Sequence, residues 1–428
     1  MKKIIILMSL IICFFGCGRE KYDITLYTGG APNELDVWQS ILDEFETEYG
    51  IKVKLVRQPT DSDMRRQGLT APLQAEKNEP DVFLMDIAWL PQFAYSGWLE
   101  PLDPYIEKDN PGMSGFFEGI LKDVCTFNGN LMAIPVSVDG GLLYYRKDIF
   151  EEEGIKGPPE TWKELVDICT ATKEKYIDAG IRWPVTPYFL WQGAQYEGLV
   201  CNFLEFITSN NGNMDIKNGK MDLDTPENIR ALQFMSDLIN KYEISPENTF
   251  TEMKEEHSRI AFEQSRGIFM RNWPYAWGIY NKKNNLLEGK VGIAPLPSFK
   301  NGKSASVLGG WHAGISAYSE KKEESYKLLS FLASYGVQKG FVITLGWNPG
   351  RKDVYEDAEV LLKAPHLAVL KDVFENAAAR PMVPYYTAVS DVLQPYLNAA
   401  ISGEKTPAEA LEQAEREVNE VIRRYTEG

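Results

Sequence analysis

Histidine is nearly absent from this chain, with three among 428 residues. His257, His312 and His366 lie far apart, and none stands at the spacing of a metal-ligand pair, so all three read as structural. Also missing are a Walker phosphate loop, a G-x-S-x-G nucleophile elbow and a G-x-G-x-x-G turn after a strand. Nothing in the motif content demands catalysis, a metal or another cofactor. Cysteine is scarce as well. Cys125, Cys169 and Cys201 form an odd, scattered set with no paired spacing, which argues against a disulfide framework and leaves each as a small buried apolar residue. Positive charge is in deficit, 45 Lys and Arg against 61 Asp and Glu for a net charge of −16, and no basic stripe is available for phosphates. Nucleic acid is therefore not an expected partner.

Long apolar runs are lacking too, apart from the first residues. Lys2 and Lys3 precede Ile4 to Phe15, a stretch too short to span a bilayer and laid out like an export signal. It ends at Gly16-Cys17. A small residue before a cysteine resembles the lipobox of bacterial lipoproteins, in which the cysteine is cut free and acylated; Phe14 and Phe15 are bulkier than usual there. Residues 1–17 are thus read as a lipoprotein signal peptide and Cys17 as the lipidated residue, with an ordinary signal peptide as the alternative. Two or more acyl chains would give stable anchoring to the cell membrane. The remaining 410 or so residues are enough for two domains.

Strands and helices alternate from the start of that body. Asp23 to Thr28 alternates as a strand, a Gly29–Glu34 loop follows, and a helix from about Leu35 carries Val37, Trp38, Ile41, Leu42 and Phe45 on one face. Ile51 to Val56 alternates again. Asp81 to Asp86 is a continuous apolar strand ending in a carboxylate, the pattern of a strand buried on both faces. Thr161, Thr225-Pro226 and the capping box Thr406-Pro407-Ala408-Glu409 start helices. Ala313 to Ala317 reads as a strand, followed by a helix from Glu323 to Tyr335. The fold class is α/β, with a second lobe beginning near Pro135.

Aromatic and planar polar residues gather in loops and at strand ends: Glu34, Arg65-Arg66, Asp86 with Trp89, Asp139, Trp273-Pro274-Tyr275, Gly310-Trp311 and the run from Arg380 to Tyr386. Ligands of open α/β sheets sit beyond the carboxyl ends of the strands. Carboxylates and guanidinium groups can each hold two neighbouring hydroxyls, and flat rings offer apolar faces to C–H surfaces. Together they suit a neutral carbohydrate. Trp38, Trp98 and Trp162 sit at core positions, and one of Arg65 and Arg66 is expected to face solvent.

The segments Gly30-Ala31-Pro32-Asn33-Glu34, Pro80 to Trp89, Gly140 to Asp148, Gln192 to Leu199, Arg271 to Gly278, Leu308 to His312, Leu345 to Arg351 and Arg380 to Tyr386 occur in order along the chain. In this the sequence resembles the extracellular solute-binding proteins of ATP-driven (ABC) sugar importers, above all the trehalose/maltose-binding group. The resemblance implies a two-lobed periplasmic-binding-protein-like fold with a hinge and an interlobe ligand cleft. Its lobes would be 18–137 with 312–350, and 138–311 with 351–428. It implies that Glu34, Arg66 and Asp86 bind hydroxyls of one ring and that Asp139 adds a carboxylate by the first crossing. Trp273 and Tyr275 would pack on the sugar, Gly310 and Trp311 would supply a backbone group and a ring, and Arg380 and Tyr386 would close the far end. Trp191 and Tyr196 lie on the same rim. No cofactor is implied; the partners would be a small saccharide and the permease subunits of the importer, with the protein a monomer held outside the cytoplasm.

One position departs from the group's pattern. Ser137 stands where a tyrosine is carried, and losing a ring is expected to enlarge the pocket, leaving open whether trehalose, maltose, kojibiose or a longer saccharide is bound. The rival reading is an exported glycoside hydrolase, which needs two carboxyls set across one glycosidic bond.

Overall fold

The computed structural model describes residues 22–178, 186, 188–375 and 377–427, so the leader and Cys17 lie outside the described residues. Two sheets organise the chain. The first runs in the order Val53–Gln58, Ile24–Gly29, Val82–Asp86, Trp311–Ile315, Ile134–Pro135. Its first three strands are parallel, and Trp311–Ile315 returns antiparallel so that Trp311 faces Asp86. Val82, Phe83, Leu84 and Met85 are all buried, which is why an unbroken apolar run can occupy the centre of this sheet. The second sheet runs Val291–Ala294, Leu142–Arg146, Phe269–Asn272, Phe189–Leu190 and is antiparallel except for its last pair.

Helices cover the sheets with the faces their spacing assigns. On Pro32–Tyr49, Leu35, Trp38, Ile41, Leu42 and Phe45 are buried, and the Trp38 ring meets Phe341 at 5.0 Å and Trp347 at 6.3 Å. In the second lobe Trp162 stacks on Phe206 at 4.2 Å. The caps form where their residue types placed them. The Asn228 N–H donates to Thr225 Oγ1 at 3.3 Å, and Thr406 and Glu409 exchange backbone-to-side-chain bonds at 3.1 and 3.3 Å. The core expectations for Trp38, Trp98 and Trp162 hold, and His312 and His366 are buried while His257 is exposed.

Two boundaries shift in ways that matter for function. The first helix begins at Pro32, not near Leu35, because the fixed φ of proline suits the first helical position. Glu34 therefore belongs to the helix's first turn, where it accepts the Ala31 N–H at 2.6 Å. The strand expected over Ala313 to Ala317 runs Trp311–Ile315, which puts Trp311 at a strand end and not in a loop.

The result is two α/β lobes joined by closely packed crossings. A small third sheet, in the order Ala377–Ala378, Ser306–Gly309, Asp139–Gly140, lies between the lobes. The chain passes from the first sheet to the second through Ser137 to Asp139 and returns through Gly309 to Trp311. Beside them Pro349 bridges Ser137, and the Val138 N–H donates to Asn348 O at 3.0 Å. Gly310 makes this packing possible. Its φ is +141°, and a Cβ there would come within 2.4 Å of Ser137 O. Gly310→Ala is therefore expected to cost about 2 kcal/mol in chemical denaturation. An unchanged unfolding midpoint would show that the crossing tolerates a side chain.

Candidate ligand-binding cleft

A cavity lined by charged groups and rings lies between the lobes. Gly30, Glu34, Arg65, Asp86 and Trp347 line one side of it, Asp139, Glu197, Glu255, Glu256, Trp273, Tyr275 and Arg380 line the other, and Gly310 and Trp311 line the crossing. Of the ten residues that the resemblance assigns to the site, eight line this cavity, and Tyr386 stands one layer behind it.

Arg66 is the exception. The Ser62–Gln74 helix buries Arg65, Leu69 and Leu73, one residue per turn, so the inward face carries Arg65 and turns Arg66 away. Arg66 pairs with Asp391 at 2.7 Å. The arginine that lines the cavity is Arg65, which donates to Pro59 O at 2.6 Å and lies over the Trp311 ring at 4.4 Å. Gly29 is needed for this approach, since a Cβ there would meet Arg65 Nε at 2.4 Å. Burial lowers the Arg65 pKa to about 10, opposed first by Glu34, and the group stays charged at neutral pH.

Glu34 has both oxygens engaged, Oε2 by Ala31 and Oε1 by the Trp347 indole N–H at 2.8 Å. Burial still pushes its pKa up. Asp86, at the end of the central strand, accepts the Ala88 N–H at 2.8 Å and an Arg380 N–H at 2.7 Å. The other arm of Arg380 reaches Glu197 Oε1 at 2.9 Å, and the same oxygen accepts the Tyr386 hydroxyl at 2.7 Å. Tyr386 thus stands one layer behind the cavity, holding Glu197. Arg380 is 3% exposed and its Nε has no partner among the described residues.

Trp273 and Tyr275 lie on the same side as Arg380. The Tyr275 hydroxyl donates to Glu256 at 2.7 Å, and the Trp273 indole points at Glu255 at 3.5 Å. Trp311 meets the buried Trp89 edge-on at 5.7 Å. Ser137 is 1% exposed and is not among the lining residues; its hydroxyl lies 3.5 Å from Asp139 and accepts the Trp311 N–H at 3.3 Å. The position expected to widen the pocket is instead spent on tying Asp139 to the crossing. Trp191 and Tyr196 are buried and do not line the cavity; Tyr196 stands behind its wall, against Gly198 and Glu255.

Sequence reasoning missed Glu197, Glu255, Glu256 and Trp347. Glu197 and Glu255 each open a helix, and an acid in a first turn is ordinary on dipole grounds alone. Periodicity, by contrast, would have separated Arg65 from Arg66.

Asp139 is the least supported acid in the cleft. Burial, then the charges of Glu34 and Asp86, push its pKa up to about 7 from 3.8. The folded protein therefore holds a proton there that the unfolded chain releases, and stability falls as pH rises across that window. Without ligand, the wild-type melting midpoint is expected to drop between pH 5 and 7.5 by about 1–2 °C more than that of Asp139→Asn. Equal drops would contradict this placement of charge.

Comparison with known proteins is consistent with this geometry. Residues 31–339 match the model of the bacterial extracellular solute-binding protein family. A probable ABC transporter-binding protein of Deinococcus radiodurans is 31% identical over 424 residues, covering 97% of each chain. A maltotriose-binding protein of Pyrococcus abyssi is 26% identical over 80% of this chain and 69% of its own. The solved structure of maltose-bound MalE3 from T. maritima superimposes with a TM-score of 0.86 at 40% identity, over 93% of this chain and 99% of that one. With two lobes around a polar, ring-lined cleft, the chain belongs to the bacterial extracellular solute-binding protein family, whose members are binding proteins and not enzymes.

Proposed function

We propose that this protein captures a neutral saccharide by closure of its two lobes and delivers it to the permease subunits of an ABC importer. An α-linked gluco-disaccharide of the maltose, trehalose or kojibiose type is the ligand class. The observation that carries the reading is one cavity in which Trp273, Tyr275, Trp311 and Trp347 share the wall with Glu34, Asp86, Asp139, Arg65 and Arg380. Rings supply faces for C–H surfaces, while the carboxylates and guanidinium groups supply the acceptors and donors that hydroxyls require. Binding of maltose by the T. maritima relative and of maltotriose by the P. abyssi relative, as their names state, supports the sugar class.

In this reading residues 18–137 with 312–350 form one lobe and 138–311 with 351–428 the other, and the protein acts as a monomer. Contacts between the lobes favour the closed form: Arg66–Asp391 at 2.7 Å, Thr387 to Gln92 at 2.8 Å, Asp61–Lys254, and the Glu197 N–H to Asp63 at 3.2 Å. A hydrolase is not favoured. Asp86 and Glu34 are already fixed by neighbours as acceptors, and the family is one of binding proteins. Three tryptophans line the cavity, so titration with maltose, trehalose, kojibiose and longer malto-oligosaccharides is expected to give a saturable change in intrinsic fluorescence with at least one of them, and no glucose release. Silence across the panel would overturn the sugar reading.

We further propose that Cys17 carries a lipid anchor. Cys17→Ser is expected to move the exported protein from the membrane fraction to the soluble fraction, scored by fractionation and immunoblot. Retention at the membrane would refute the anchor.

A further inference from the structure

Arg271 lies in the Phe269–Asn272 strand, two residues before Trp273, and its guanidinium carbon is 4.1 Å from the centre of the Trp273 ring. Trp273 lines the cavity and Arg271 does not, so the guanidinium backs the ring on the side turned away from the ligand. Both groups of the ion pair behind it are buried. Arg271 donates to Glu205 at 2.9 and 2.6 Å, with side chains 1% exposed on each, and to Gln192 Oε1 at 3.1 Å. Glu205 Oε1 also accepts the Val307 N–H at 3.1 Å, in the Ser306–Gly309 strand that leads into the crossing. From the same strand, Gly309 leaves room for the ring edge: a Cβ there would stand 2.9 Å from it.

A buried arginine–carboxylate pair is a costly way to fill a core, and apolar residues of similar size often do as well. What apolar residues lack is a flat group held in one plane by a forked pair of bonds. We propose that Arg271 is a positioning residue for saccharide capture. Its charge-paired guanidinium sets the plane of Trp273 and, through Glu205 and Val307, ties that plane to the strand about which the lobes turn. This inference rests on the saccharide reading of the cleft.

The test is a double-mutant cycle. Arg271→Met combined with Glu205→Gln removes both charges together and avoids leaving either one buried alone. Measured by calorimetry with the saccharide that binds the wild-type protein, the pair of substitutions is expected to weaken binding about tenfold. In a Trp273→Ala background it is expected to change nothing further. The 19F resonance of fluorotryptophan at position 273, identified by its loss in Trp273→Ala, is expected to shift. Wild-type affinity in the paired variant, or equal weakening with and without Trp273, would overturn the proposal. If the paired variant does not fold, Arg271→Lys, which keeps the charge and loses the flat face, is expected to weaken binding at least threefold; wild-type affinity there overturns the proposal equally. If the wild-type protein binds no saccharide, the function proposed above fails, while the 19F shift still decides whether Arg271 sets the ring.

Discussion

A guanidinium with 3% of its surface in contact with solvent stays where it is only if carboxylates meet it there, and Arg380 meets two. One belongs to Asp86, at the end of the central strand of the first sheet; the other belongs to Glu197, at the start of the helix that packs on the second. Burying three charged groups is unfavourable unless their geometry is close and their remaining bonding capacity is used. Both conditions are met. Asp86 is also fixed by the Ala88 N–H, and Glu197 by Tyr386 and Ser390. The interaction needs both lobes at once, so the polar floor of the cleft exists in this form only while the lobes are together. In the proposed mechanism of lobe closure, that dependence links the chemistry of the site to the conformational change.

The same economy of partners runs through the rest of the cleft. Glu34 is held by its own helix start and by Trp347, from a segment more than 300 residues away, and Arg65 is held by a loop carbonyl beneath a ring. Side chains whose orientation is already fixed lose little freedom when a ligand arrives, which is how a site made of flexible residue types becomes selective. Asp139 differs. Among the described residues its side-chain hydrogen-bond partner is the Ser137 hydroxyl at 3.5 Å, and its pKa of about 7 follows from burial beside other acids.

Much of this architecture was legible in the residues. The alternation of Asp23–Thr28, the apolar run before Asp86 and the caps at Thr225 and Thr406 each reflect a local rule, so the elements appear within two or three residues of where they were expected. Trp273, Tyr275, Trp311 and Arg380 stood out because bulky or charged groups beside prolines and glycines at element ends are hard to place in a core. Glu197 and Glu255 carried no such mark. An acid opening a helix satisfies the helix dipole whether or not a ligand lies above it, and only packing tells the two cases apart.

Ser137 shows the limit from the other side: a missing ring suggested space, yet the hydroxyl is drawn into the crossing between Asp139 and the Trp311 backbone. Taken alone, the sequence determined the α/β class and the set of residue types from which a cleft could be built. Tertiary structure decided which of them meet. It turned Arg65 into the cavity and Arg66 towards Asp391 through helical phase, stacked Arg271 behind Trp273, and brought Glu34 to Trp347. The last of these joins segments more than 300 residues apart, and no local propensity encodes it.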